Sequence, residues 1–335
     1  SLGRISGAPT IYVKKGVTRV LLDESLALTD NLHLMWHSIK SERCTTGLTI
    51  PLLLDTTLGR PELWEDLTSR LRVLVIGGQP IRNQHTKAIG RFTDSLAITY
   101  GSTECGFVTV HHVNSHNKES FEDGNNGLPL PGMEVKLVDG DLQEIQEVGQ
   151  AGEVLCRGPS VFQGYLGLRE KDQGHEDVFT EDGWFRSGDV AYVNTKGELH
   201  VVCRKSNAIN HGAFIVYPGW LESRMERCPG VRSVVVVPVP DPVVHQELCA
   251  CVVPQPGAKV TADEVREFCK RLFLTPDTSD VTQVPRYYVF FGSFPTTPTG
   301  KTDRKTILTM ALERLGLYHS LPTGHHLYFP VVTTS

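Results

Sequence analysis

The chain has 335 residues, 40% of them hydrophobic and 21% charged. That length supports a large core and more than one domain, and the balance excludes a disordered or low-complexity chain. A formal net charge of −5 gives no footing for a nucleic-acid partner, and no apolar run reaches the length of a transmembrane segment.

Up to about residue 120, helical stretches alternate with short apolar strands expected at Val17 to Leu22, Gly47 to Leu54, Arg72 to Ile76 and Leu96 to Thr99. This alternation predicts α/β layering. Leu32 to Lys40 has helical spacing. Its His33, Trp36 and His37 either line an acyl pocket or, in the plainer reading, form a helix face packed on the sheet. From Gly127 the character changes to short strands divided by Gly, Asp, Asn and Pro turns, at Glu134 to Val138, Glu153 to Arg157, Val190 to Val193 and Leu199 to Val202. That spacing predicts a β-rich subdomain, with Asn194-Thr195-Lys196-Gly197 as a hairpin turn.

Beyond Arg204 the pattern is compact α+β. A helix is expected from Pro218 to Cys228 and strands at Val231 to Val239, Leu248 to Val253 and Tyr287 to Phe291. Between them, Thr261-Ala262-Asp263-Glu264 reads as a capping box opening a helix to Leu272. Eight cysteines are scattered with no Cys-x-x-Cys spacing, which favours buried thiols in a reducing compartment over a disulfide framework. Alternation points Cys249 and Cys251 to one face of a strand.

Three segments carry candidate chemistry. In Asp182-Gly183-Trp184-Phe185-Arg186-Ser187-Gly188-Asp189, the carboxylate of Asp189 ends a Gly-flanked turn and could accept two hydrogen bonds from a ribose diol. Arg204 follows one hairpin later and could reach the same nucleotide. Alone, the segment is equally a surface turn with a satisfied aspartate. Tyr100-Gly101-Ser102-Thr103-Glu104 follows a buried strand; its glycine allows close backbone approach, Thr103 offers a hydroxyl and an N–H to a phosphate, and Glu104 offers a hard oxygen to magnesium. Alone, this too is an ordinary strand-to-loop turn. Pro295-Thr296-Thr297-Pro298-Thr299-Gly300-Lys301 is a stiffened loop presenting Lys301, which is either a solvated tip or a compact charge for an anion.

In this order the three segments resemble the adenylate-forming acyl-activating superfamily, which includes acyl-CoA synthetases, luciferases and the adenylation domains of peptide synthetases. The resemblance takes in Gly77-Gly78-Gln79-Pro80, Gly152 to Pro159 and Gly164-Tyr165-Leu166, and covers roughly residues 10 to 315. His211 to Pro218 and Glu247 to Val252 look most like fatty and medium-chain acyl-CoA synthetases. The fold it implies is α/β: the C-terminal portion of a large adenylation domain over 1–203, with the β-rich subdomain 127–203, then an α+β lid over 204–317 and a tail over 318–335.

The resemblance also implies partners and roles. Its substrates are a small-molecule carboxylic acid, ATP and coenzyme A, with Mg2+ as cofactor, and it leaves oligomeric state open. Gly78, Gln79, Pro80 and Tyr100 would flank adenine, and Gly101, Ser102 and Thr103 would meet the AMP phosphate. Glu104 would hold magnesium, Asp189 and Arg204 the ribose. Lys301 would bridge carboxylate and phosphate during adenylation, with lid rotation about a hinge after Arg204. The family's Ser/Thr/Gly-rich phosphate loop should stand upstream of Gly77, and no such run does. The expectation is therefore an N-terminally truncated, weakly active chain, intracellular, with mitochondrial and cytoplasmic placement both open.

Departures from the family pattern are Ser206 and Asn207 at the hinge, Ala213 in place of a second glycine, Trp220 where glutamate is usual, and extra residues at Leu274 to Val281. They suggest a divergent member with altered lid movement. Two alternatives stand beside the acyl-CoA synthetase reading. One is an adenylating enzyme with another acceptor, luciferase-like or carrier-protein-loading. The other is a non-catalytic nucleotide-binding pseudoenzyme.

Overall fold

Short apolar runs separated by crossovers force parallel pairing, and the first part of the chain is built this way. In the computed structural model, the structure describes residues 16–20, 31–68, 70–165, 178–212, 214–273, 283–297 and 300–317. The chain divides into two compact units, Ser1–Val201 and Val202–Ser335.

In the first unit, α1 (Leu32–Ser41) precedes β1 (Thr46–Thr49), α2 (Pro51–Leu58), β2 (Val73–Gly77) and β3 (Ser95–Ser102). The strands β1, β2 and β3 pair in parallel. The antiparallel strands β4 (Gly106–Asn114) and β5 (Leu128–Pro129) complete a five-stranded sheet in the order β1-β2-β3-β4-β5. The strand expected from Gly47 to Leu54 is cut short. Pro51 occupies the first turn of α2, where its missing N–H costs nothing, so the apolar run divides into strand and helix. Residues 17–20 of the first expected strand carry no regular structure, and Leu21–Leu22 lie outside the described residues.

Trp36 resolves the role of α1. It is buried against Phe92 at 5.1 Å between centroids, and its Nε1 donates to Thr57 Oγ1 at 3.3 Å. His33 and His37 are exposed, so the helix packs by its apolar face.

A second sheet, in the order β6-β7-β8-β9, holds β6 (Glu134–Val138), β7 (Gly152–Arg157), β8 (Phe185–Val193) and β9 (Leu199–Arg204). The predicted hairpin turn between the last two forms. Asn194 Oδ1 accepts the N–H groups of Lys196 and Glu198, and Gly197 N–H donates to the Asn194 carbonyl. One apolar cluster joins the two sheets: Tyr100, Cys105 and Val108 from the first pack with Leu137, Val154, Cys156, Phe185, Ala191 and Leu199 from the second.

In the second unit, β10 (Ile209–His211), β11 (Phe214–Val216), β12 (Val231–Asp241) and β13 (His245–Pro254) form a sheet in the order β11-β10-β13-β12, with β14 (Tyr287–Phe290) parallel to β13. Successive residues of β12 and β13 face opposite sides. Val234, Val236, Leu248 and Ala250 pack with α3 (Pro218–Met225) and α4 (Ala262–Phe273). Val235, Val237, Cys249 and Cys251 pack with α5 (Arg304–Leu315). Helices on both faces explain why Val234 to Val237 is apolar without a break. The two thiols of β13 do share a face, and all eight cysteines are free.

The capping box forms, with Thr261 Oγ1 accepting Glu264 N–H and Glu264 Oε2 accepting Thr261 N–H. Helix α3 ends at Met225, before the expected Cys228, because Pro229 disfavours helical geometry in the residue ahead of it. Trp220 finds a packing role: its ring stacks under the Arg224 guanidinium at 3.8 Å and lies 5.5 Å from Phe273. The extra residues from Leu274 to Val281, Ala213, Leu166 and the tail beyond 317 lie outside the described residues.

Helices α3 and α5 are tied through the sheet by charge. Arg304 Nη2 meets both Glu222 oxygens, at 2.6 and 2.5 Å, while Glu222 Oε1 accepts Val236 N–H at 2.8 Å and Arg304 Nη1 donates to the Val236 carbonyl at 3.2 Å. Removing one partner of such a pair strands the other charge. Glu222→Ala should lower unfolding stability by about 3 kcal/mol in urea titrations, whereas a loss below about 0.5 kcal/mol, the range of an exposed pair, would show that the pair does not brace the sheet.

Candidate functional site

In open α/β sheets, ligands bind beyond the carboxyl ends of the parallel strands. Two of the sequence-predicted segments leave the first unit's sheet at that edge. Gly77 stands opposite Thr99 in the β2–β3 register, so Gly78-Gln79-Pro80 and Tyr100 to Glu104 emerge side by side. Gly78 turns the chain with φ of 78°, a left-handed conformation that favours glycine. The Gln79 side chain reaches back to α2, where its Oε1 accepts Leu52 N–H at 3.1 Å and satisfies an orphan donor of the first turn.

Gly101 sits at a register shift between β3 and β4. A Cβ there would lie 1.9 Å from the Gly106 carbonyl oxygen, so only glycine lets the two backbones pass. Ser102 Oγ accepts Glu104 N–H at 3.2 Å and shapes the turn. Thr103 is exposed at its tip. Residues 160–165 pin this turn from outside the motif. Ser160 Oγ donates to the Cys105 carbonyl at 2.7 Å, Phe162 N–H to the Glu104 carbonyl at 2.7 Å, and Tyr165 Oη to Glu104 Oε1 at 2.9 Å.

The third segment arrives through the seam between the sheets. Tyr100 Oη donates to Asp189 Oδ2 at 2.8 Å, with the two residues only 9% and 8% exposed. Burial first, and then the Asp189 charge, push the phenol's pKa well above its usual range, so it remains a donor. Ser187 Oγ accepts Asp189 N–H at 3.0 Å and donates to the Val154 carbonyl at 2.8 Å, which fixes the carboxylate's backbone. Close by, a hydrogen bond with Cys105 and then burial raise the Cys156 thiol.

The first unit therefore gathers Gly78, Gln79, Pro80, Tyr100, Gly101, Ser102, Thr103, Glu104 and Asp189. Arg204 and Lys301 belong to the second unit. Arg204 ends β9 ahead of a 3-10 turn at Lys205–Asn207, which holds Ser206 and Asn207. Lys301 is exposed on a closed loop: Thr296 and Thr302 bridge antiparallel, Thr297 N–H donates to the Lys301 carbonyl at 2.7 Å, and Thr297 Oγ1 accepts Lys301 N–H at 3.1 Å. Asp303 then caps α5 by accepting Thr306 N–H at 3.1 Å. Pro298 and Thr299 of this loop lie outside the described residues.

Comparison with known proteins decides the family. The chain matches the AMP-binding enzyme family over residues 6–166 and the AMP-binding enzyme C-terminal domain over 221–301. The chain belongs to the adenylate-forming AMP-binding enzymes. Among relatives of this family, it is 28% identical over 318 residues to the mitochondrial medium-chain acyl-CoA ligase ACSF2 of Bos taurus, covering 94% of this chain and 49% of that one. The amide bond synthetase McbA of Marinactinospora thermotolerans is 30% identical with a TM-score of 0.71, over 83% of this chain and 54% of that one. ATP-bound MatB of Rhodopseudomonas palustris shares the fold at 23% identity and a TM-score of 0.70, over 84% and 52%. The chain thus spans about half the length of the curated relatives it matches.

Two contacts escaped the sequence reading of this AMP-binding chain. The Tyr100 hydroxyl acts on a carboxylate 89 residues away, and the Tyr165 hydroxyl acts on Glu104 across 61. Spacing carries no signal for either. The crowded backbone at Gly101 yields a direct test. Gly101→Ala should lower stability by about 2 kcal/mol or more, since an overpacked backbone must shift, as read by thermal melting. A melting temperature equal to wild type would show that the β3–β4 approach is looser than described.

Proposed function

We propose that the protein acts as an AMP-forming ligase of a fatty or medium-chain acid, making the acyl-adenylate and passing the acyl group to coenzyme A. In the first step a carboxylate oxygen bonds to the α-phosphorus of ATP as the bond to pyrophosphate breaks. In the second, the sulfur of coenzyme A attacks the acyl carbon and AMP leaves. The observation that carries the reading is the buried Asp189, its carboxylate bonded by Tyr100 and its backbone N–H by Ser187, meeting the β3 segment at the ligand-binding edge of a parallel sheet. A carboxylate so placed suits a neutral diol. The likeness to a medium-chain acyl-CoA ligase supports the substrate class.

In this reading Asp189 and Arg204 hold the ribose, Gly78, Gln79, Pro80 and Tyr100 flank adenine, and Gly101, Ser102 and Thr103 face the phosphate. Glu104 fits a magnesium ligand by its chemistry, a carboxylate on a pinned turn that would complete an oxygen set with substrate phosphates. Magnesium there would offset the charge of the phosphates. Lys301 supplies the ammonium that lets two anions approach during adenylation. The eight free thiols suit a reducing compartment.

A second reading keeps the adenylation step and changes the acceptor, and the 30% identity to an amide bond synthetase favours it over the remaining alternatives. Acid-dependent ATP–pyrophosphate exchange in the full-length protein tests the shared first step, and release of thioester or amide separates the acceptors. Lys301→Ala should cut exchange by about 100-fold or more while sparing thioester formation from supplied acyl-adenylate. Equal loss of both half-reactions would contradict the role given to Lys301.

A further inference from the structure

We infer that the Tyr100 hydroxyl sets the preference for ribose over deoxyribose, by holding the Asp189 carboxylate in one rotation at 2.8 Å. The inference rests on Asp189 gripping the ribose, as proposed above. An aspartate's terminal torsion is broad and roughly two-fold, so a carboxylate needs an external donor to fix its plane. Ser187 Oγ accepts the backbone N–H of Asp189. The phenol reaches the side chain itself, and its ring is packed among the apolar residues that join the two sheets.

The chemistry favours a strong restraint. A hydrogen bond to a carboxylate is charge-assisted, and both partners here are largely shielded from water. The phenol also stays protonated, because burial and the neighbouring carboxylate both oppose its ionisation. A carboxylate can accept several hydrogen bonds, so one donor at Oδ2 orients the group without consuming its capacity for a diol. A site built to bond a substrate hydroxyl rejects the analogue that lacks it, and that rejection is only as sharp as the acceptor's placement. Tyr100 is accordingly a positioning residue, acting on the ribose through Asp189.

The test measures dissociation constants of AMP and 2′-deoxy-AMP by calorimetry for wild type, Tyr100→Phe, Tyr100→His and Asp189→Ala. Each ratio of constants comes from one protein preparation, so any loss of folded protein cancels. Wild type is expected to prefer AMP. Tyr100→Phe should shrink that preference about three- to tenfold, the range of one net hydrogen bond. Tyr100→His, whose shorter ring does not reach the same carboxylate, should shrink it as well. A preference kept in both tyrosine variants but lost in Asp189→Ala would overturn the inference and leave the ribose role of Asp189 standing. No preference in wild type, or one untouched by Asp189→Ala, would overturn both.

Discussion

One buried hydrogen bond, from the Tyr100 phenol to the Asp189 carboxylate, ties together the two sheets of the first unit at the proposed nucleotide site. It joins residues from two different sheets, so it exists only when both sheets are formed and packed. The apolar cluster around Tyr100, Cys105, Val154, Cys156 and Phe185 supplies that packing. A polar pair in such surroundings must be well satisfied, since an unpaired buried carboxylate is costly. The fold therefore presents a carboxylate whose position is set before any ligand arrives. Preorganisation of this kind is what a nucleotide site needs, because binding then orders protein groups no further.

The second unit works by a different economy. Its sheet is covered on both faces, by α3 and α4 on one side and α5 on the other, and the Glu222–Arg304 pair links the layers. This supports two exposed features, the Phe214 and Ile215 side chains and the Lys301 loop. The loop itself is closed by the Thr297 N–H donating to the Lys301 carbonyl and by Thr297 Oγ1 accepting Lys301 N–H, and Asp303 at its exit opens α5. In the role proposed for it, a lysine carried this way would lose little backbone entropy on meeting an anion.

Much of the fold was legible because its signals are local. Alternation placed Glu134 to Val138 as a strand, and Thr261 with Glu264 announced the start of a helix. The same logic failed where one residue outweighed a pattern. Pro51 divided an apolar run that reads as a single strand, and Pro229 stopped a helix early. The candidate site was legible as segments, since Gly101, Asp189 and Lys301 each stand in a turn whose residues carry a physical reason. Its geometry was not. The bond from Tyr100 to Asp189, and that from Tyr165 to Glu104, are tertiary contacts between distant positions, and no periodicity encodes them. The crowded approach of Gly101 to the Gly106 carbonyl likewise follows from strand pairing rather than from composition.

The most direct measurement is a crystal structure of the protein with AMP. The ribose hydroxyls should lie within hydrogen-bond distance of the Asp189 carboxylate, with adenine beside Gly78 to Pro80 and the phosphate at Thr103. AMP seated elsewhere, or with its ribose turned away from Asp189, would contradict the reading of this sheet edge as the nucleotide site.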